Sequence, residues 1–122
     1  MVGDVAAAWR LFRPIAAARV EMLAVAYLSP GRALLGFRVV PSRSEVRLEL
    51  PVRRIVADVI GLDAVAVVMA HNHPSGDVRP SPDDLDATRR LARALDTLGV
   101  RLCDHLVLAG DSCASFRELR LL

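Results

Sequence analysis

The sequence predicts a single-domain α/β sandwich, a mixed central β-sheet flanked by helices, and three observations carry that prediction. Segments with helical and strand patterning follow one another as helix, hairpin, strand, helix, central strand, helix, strand. The run from Ala64 to Ala70 has no polar position, as expected of a strand covered on both faces. The 122 residues, 53% of them hydrophobic, can build one core and are too few for two ordinary domains.

Each element has its own local reason. Asp4 can cap a helix over residues 4–13, whose alanines favour it and which Pro14 should end. This is read as a lead-in helix over residues 1–14, ahead of the domain proper at 15–122. The apolar runs Val20 to Leu28 and Ala33 to Val40 flank Ser29, Pro30, Gly31 and Arg32, which is a β-hairpin signal. Val46, Leu48 and Leu50 alternate with Arg47 and Glu49 and predict a half-exposed strand. A short helix is expected over Val52 to Ile60, with Ile55, Val56 and Val59 on one face and Gly61 as its stop. After the central strand, the stretch from His71 to Pro80 is too rich in Pro and Gly for regular structure. A helix from Pro82 to Leu98 follows, with Leu85, Leu91, Ala92, Leu95 and Leu98 as its apolar stripe and Gly99 as its stop. Leu102 to Leu108 reads as a strand, Gly110 and Asp111 as a turn, and Ala114 to Phe116 as a last short strand.

Composition narrows the function classes. The formal charge is +2, all 16 basic residues are Arg, and they are dispersed among 14 acids with few aromatic residues between them. A groove that tracks phosphates would cluster its charge and interleave stacking rings, so nucleic-acid binding is weakly supported. No apolar run approaches the roughly 18 residues of a spanning helix, and the first residues lack the pattern of a secretory signal. The expectation is a cytoplasmic protein without a membrane partner. Cys103 and Cys113 are too few for a disulfide framework and are expected as reduced thiols.

The chemistry concentrates around two histidines. His71 and His73 stand two apart at the end of the central strand, so their rings point to one side while Asn72 points to the other. The loop after Pro74 returns the chain to the long helix, whose first turn contains Asp84. Two imidazole nitrogens and one carboxylate oxygen suit a zinc ion that keeps one position open for water. Glu21 is the odd residue in the first strand region, sharing a face with Leu23, Val25 and Tyr27. A carboxylate is costly to bury there unless something compensates it, and a metal-bound water needing a base would do so.

Glu21, then His71, His73 and Pro74 some fifty residues later, then Ser81 and Asp84, resembles the JAMM motif of the JAB/MPN metalloproteases. The string His71, Asn72, His73, Pro74, Ser75, Gly76, Asp77, with Pro80, Ser81 and Asp84 and with Asp104, His105 and Leu106, resembles the RadC-like branch of that fold more narrowly. The resemblance covers roughly residues 15–118. It implies a cytidine-deaminase-like sandwich in which His71, His73 and Asp84 ligate Zn2+, Glu21 is general base and proton shuttle, and Ser81 hydrogen-bonds the oxyanion. It implies hydrolysis of a peptide or isopeptide bond, with a peptide or a ubiquitin-like protein conjugate as substrate. Full-length members of that branch also carry a segment resembling a helix-hairpin-helix DNA-binding module. These 122 residues do not contain it, which weakens a DNA-repair reading.

Alternatives stand beside these assignments. Ser81 and Asp84 have capping-box spacing with Pro82 at the first helical position, a role compatible with metal binding. Glu21 could instead pair with Arg19 or Arg38. His105 is read as a core histidine, or one supporting a ligand, rather than as a fourth ligand. At the level of the whole chain, the alternative to a zinc hydrolase is a catalytically silent metal-binding scaffold or DNA-repair-associated module acting in a complex. A metal-dependent nuclease is a third, fainter reading. A monomer or a homodimer is expected.

Overall fold

The computed structural model describes residues 3–41 and 50–122. Their elements are α1 (Val5–Ala16), β1 (Met22–Leu28), β2 (Leu34–Pro41), α2 (Val52–Leu62), β3 (Ala66–Asn72), α3 (Pro82–Thr97), β4 (Arg101–Ala109) and β5 (Ser112–Ser115). The strands form one sheet in the order β2-β1-β3-β4-β5. Only β3 and β4 are parallel, joined by the α3 crossover that such a pairing requires; the other neighbours are antiparallel. The mixed α/β sandwich expected from the pattern is the fold observed. The strand expected around Val46 and Leu48 lies outside the described residues.

The two faces of the sheet are built differently. Toward α1, β1 and β3 present Ala24, Ala26, Ala66 and Ala70, small residues that leave room for the fully buried Phe12. Toward α2 and α3 they present Leu23, Val25, Tyr27, Val67 and Met69, which meet Ile55, Val59, Leu91 and Leu95. Pro14 does not end α1: the helix runs through it to Ala16. The ring removes a single helical hydrogen bond near the C-terminal end, and burial of Ile15 and Ala16 on the sheet offsets that loss. Nor does Gly61 stop α2, which continues to Leu62 and is terminated by Asp63 in the left-handed region at φ 53°. Gly99, at φ 71°, follows the cap of α3 as expected.

The stripe of α3 is rotated from the one its leucines suggest. The buried positions are Asp84, Thr88, Leu91 and Leu95, while Leu98 is 44% exposed. The first two turns of α3 therefore set polar side chains against the sheet, and β4 answers with the buried His105.

Tyr27, Arg38 and Asp58 tie α2 to the first hairpin. Arg38 donates to Asp58 Oδ2 at 2.5 Å and Oδ1 at 2.8 Å, and the Tyr27 hydroxyl donates to Oδ2 at 2.7 Å. Arg38 holds the Asp58 carboxyl below its ordinary range, and burial, with Asp58 beside it, pushes the Tyr27 phenol up. Asp58→Ala leaves a buried hydroxyl without its acceptor, so we expect a loss of about 1–3 kcal/mol in urea unfolding. An unchanged midpoint would show that this network does not hold α2 in place.

Candidate metal centre

β3 is long enough to deliver its histidines from regular structure. His71 lies within the strand, and the His73 amide extends the ladder by donating to the Leu108 carbonyl at 2.8 Å. The two-residue spacing puts both rings on the α3 side, 4.7 Å apart between centroids. His71 Nε2 and His73 Nε2 face one another at 2.9 Å. The Asp84 carboxylate straddles them, with Oδ1 3.3 Å from His71 Nε2 and Oδ2 3.3 Å from His73 Nε2.

Asp84 occupies this position because it is also the N3 residue of α3. Its Oδ2 accepts from the Ser81 amide at 2.7 Å, and Ser81 Oγ accepts from the Asp84 amide at 3.0 Å. The capping box and the approach to the histidines coexist in the same two residues. Asp84 Oδ1, to which no backbone amide donates among the described residues, is the oxygen turned to His71.

Glu21 arrives from the segment just before β1. It, His71 and His73 each present one ligating atom, all within 4.8 Å of one another, a group that could hold a metal ion. Glu21 is partly exposed, whereas Asp84 is buried at 2%. Among the described residues no ion pair joins Glu21 to an arginine, and Arg38 is engaged by Asp58.

Asn72 is the residue that sequence reasoning passed over. Pointing to the opposite face and fully buried, it accepts from the Met22 amide at 2.5 Å and donates to the carbonyls of Ala18 and Val20 at 3.0 Å each. Those bonds bracket Glu21, so the residue between the two histidines fixes the segment that brings the carboxylate to them. Its partners lie 50 to 54 positions away in sequence, beyond the reach of any local pattern.

The surrounding charges shift one another. Burial pushes the Glu21 carboxyl up, and the two histidines only partly counter it. Burial also acts to raise Asp84, but hydrogen bonds with His71 and His73 outweigh it and hold this carboxyl far below its ordinary range. The hydrogen bond with Asp84 raises His73 above 6.5. His105 is depressed well below its ordinary value, first by burial and then by His71.

Neither cysteine belongs to this cluster. Cys103 is buried against α1, and Cys113 lies on β5, its thiol pushed up to about 11 mainly by burial. Asp104 faces away from the histidines and accepts from Ser115 Oγ and from the amides of His105 and Arg117, closing the C-terminal turn. Asp77 follows the turn that Gly76 closes onto the His73 carbonyl; its side chain pairs with Arg79 and its carbonyl accepts from His73 Nδ1 at 2.6 Å.

A mixed sheet with this crossover, a His-x-His pair at the end of β3 and an aspartate at the N-terminus of the next helix is consistent with a JAB-type domain. The profile of the RadC-like JAB domain matches residues 3–121, and the chain belongs to that family. It is 37% identical over 102 residues to a UPF0758 protein of Nostoc sp., covering 84% of this chain and 42% of that one. It is 36% identical over 102 residues to the UPF0758 protein YfjY of Escherichia coli, covering 84% of this chain and 64% of YfjY. With a UPF0758 protein of Cupriavidus pinatubonensis the identity is 50% over 66 residues, 54% of this chain and 29% of the relative. The chain thus spans about two-fifths of the length of the cyanobacterial relative and under two-thirds of YfjY. Among the described residues no helix is long and apolar enough to cross a membrane.

The opposed shifts of His73 and Asp84 give the metal-free protein a pH signature. A raised His73 stabilises the fold fully below 6.5 and loses that contribution as pH climbs through its folded value. A depressed Asp84 contributes above 3.8 and loses its contribution as pH falls toward its folded value. In chelator, urea unfolding is expected to show a decline in stability from about pH 6.5 upward, which Asp84→Asn flattens, while the depressed His105 costs stability below pH 6.5 in both proteins. A natural protein and variant with the same pH profile would contradict the pairing.

Proposed function

We propose that this domain is a zinc-dependent hydrolase of the JAMM type, with His71, His73 and Asp84 as metal ligands and Glu21 as general base. One observation carries the reading: two imidazole nitrogens meet at 2.9 Å, and the Asp84 carboxylate sets a different oxygen 3.3 Å from each, Oδ1 toward His71 and Oδ2 toward His73. Ligand atoms about 2.0–2.1 Å from a tetrahedral zinc lie about 3.3 Å apart, which the two histidine–carboxylate separations match, and the nitrogen and oxygen donors are of the type zinc takes. Glu21 and Asp84 divide by position. The buried carboxylate fixed by the helix cap suits a ligand, and the partly exposed one, raised by burial, suits a base that must gain and release a proton.

A cation held there supplies Lewis-acid polarisation of a carbonyl and lowers the pKa of water to about 7. Glu21 takes the proton of the attacking water and delivers it to the departing amine. Ser81 Oγ already accepts from the Asp84 amide, so its hydroxyl proton is free to donate to the oxyanion of the tetrahedral carbon. The substrate class is a peptide or isopeptide bond, including one in a ubiquitin-like conjugate, and two free thiols fit a cytoplasmic setting. The second reading is a catalytically silent metal-binding scaffold, or a DNA-repair-associated module, acting in a complex.

Elemental analysis of the untagged protein should find about one zinc per chain, lost in Asp84→Ala. Glu21→Gln should keep the metal and lower turnover of peptide or ubiquitin-like conjugates by about a hundredfold or more. Zinc retained in Asp84→Ala would remove that residue from the ligand set, and metal without turnover in the natural sequence would leave the module reading.

A further inference from the structure

We propose that Thr88 and His105 are positioning residues that hold His71 in the tautomer with its proton on Nδ1, leaving the Nε2 lone pair directed at His73 and Asp84. The inference deepens the metal-site reading and rests on it for its purpose, but the tautomer itself is a property of the metal-free protein.

The argument follows protons along one chain of hydrogen bonds. Thr88 Oγ1 lies 2.6 Å from the Asp84 carbonyl, one helical turn back, and 2.6 Å from His105 Nδ1. A carbonyl can only accept, so the single hydroxyl proton goes to Asp84. His105 Nδ1 must then be the donor to Thr88. With its proton spent there, the buried neutral ring has a lone pair at Nε2, which lies 2.6 Å from His71 Nδ1. That contact is a hydrogen bond only if His71 carries its proton on Nδ1. His71 Nε2 is left as a lone pair, the form in which an imidazole ligates a metal.

Two further features keep the relay in register. Phe116 stacks on the His105 ring with centroids 4.5 Å apart at 25°, fixing its plane. The parallel pairing of β3 and β4 sets His105 opposite Met69, one step along the same face from His71. The relay starts at the backbone of one proposed ligand and ends on the ring of another, coupling α3 to β3 through β4. His73 Nδ1 can only donate to the Asp77 carbonyl, so its Nε2 also faces the cluster, where in the metal-free protein it carries the proton that lies between it, His71 Nε2 and Asp84. Both rings therefore turn Nε2 inward.

The test is long-range proton–nitrogen NMR on histidine-labelled, metal-free natural protein, paired with zinc affinity for Thr88→Val and Thr88→Ser. His71 and His105 should both carry their proton on Nδ1. Thr88→Val should shift His71 toward the Nε2-protonated form and weaken zinc about tenfold to a hundredfold, whereas Thr88→Ser should keep both properties. His71 protonated at Nε2 in the natural protein overturns the proposal without any variant having to fold. A folded Thr88→Val protein with unchanged tautomer and affinity also overturns it. The expected tautomers in a protein that binds no zinc would uphold the relay and defeat the metal reading, which separates the two failures.

Discussion

Two imidazole nitrogens that face one another at 2.9 Å, with a buried carboxylate across both, cannot stay so close as bare lone pairs. A proton or a cation must sit among them, and the rest of the domain is arranged around that requirement. The strand β3 turns polar over its last two residues, with apolar side chains filling both faces up to Ala70 and then the buried His71 and Asn72. The crossover helix α3 starts with the capping box that fixes Asp84, so the same bonds that begin the helix aim its carboxylate. The parallel neighbour β4 provides His105 behind His71.

The two sides of β3 divide the work. Its odd-numbered residues, Val67, Met69 and His71, face α2 and α3 and lead into the candidate metal centre. Its even-numbered residues, Val68, Ala70 and Asn72, form the core with α1 and lead to the clamp on Ala18, Val20 and Met22. Consecutive residues therefore serve the candidate centre from opposite faces, His71 and His73 as its proposed donors and Asn72 as the anchor of the Glu21 segment. This is the alternation of a strand used to couple two layers of the sandwich.

Much of this was legible in the sequence, for reasons that can be named. A seven-residue run without a polar side chain announces a covered strand, and a His-x-His pair at its end announces two rings on one side. The helix that opens with Ser81 and Pro82 announces its own start. Less legible were the features whose cause lies elsewhere in the chain. Pro14 ought to end a helix by its own chemistry, but the burial of Ile15 and Ala16 depends on a sheet the local sequence does not mention. Thr88 and Asp84 occupy the buried face of α3, where a search for apolar periodicity chooses the leucines and rotates the stripe. His105 could be recognised as a buried histidine supporting a ligand, but its bond to Thr88, 17 residues away, could not be. Asn72 reads as the residue between two ligands until its distant backbone partners are in view.

X-ray absorption at the zinc edge of the zinc-loaded protein tests the central claim most directly. The account predicts a first shell made only of nitrogen and oxygen, with the outer-shell scattering of two imidazoles. A sulfur neighbour, or the signature of fewer than two imidazoles, would place the metal away from His71 and His73 and contradict it.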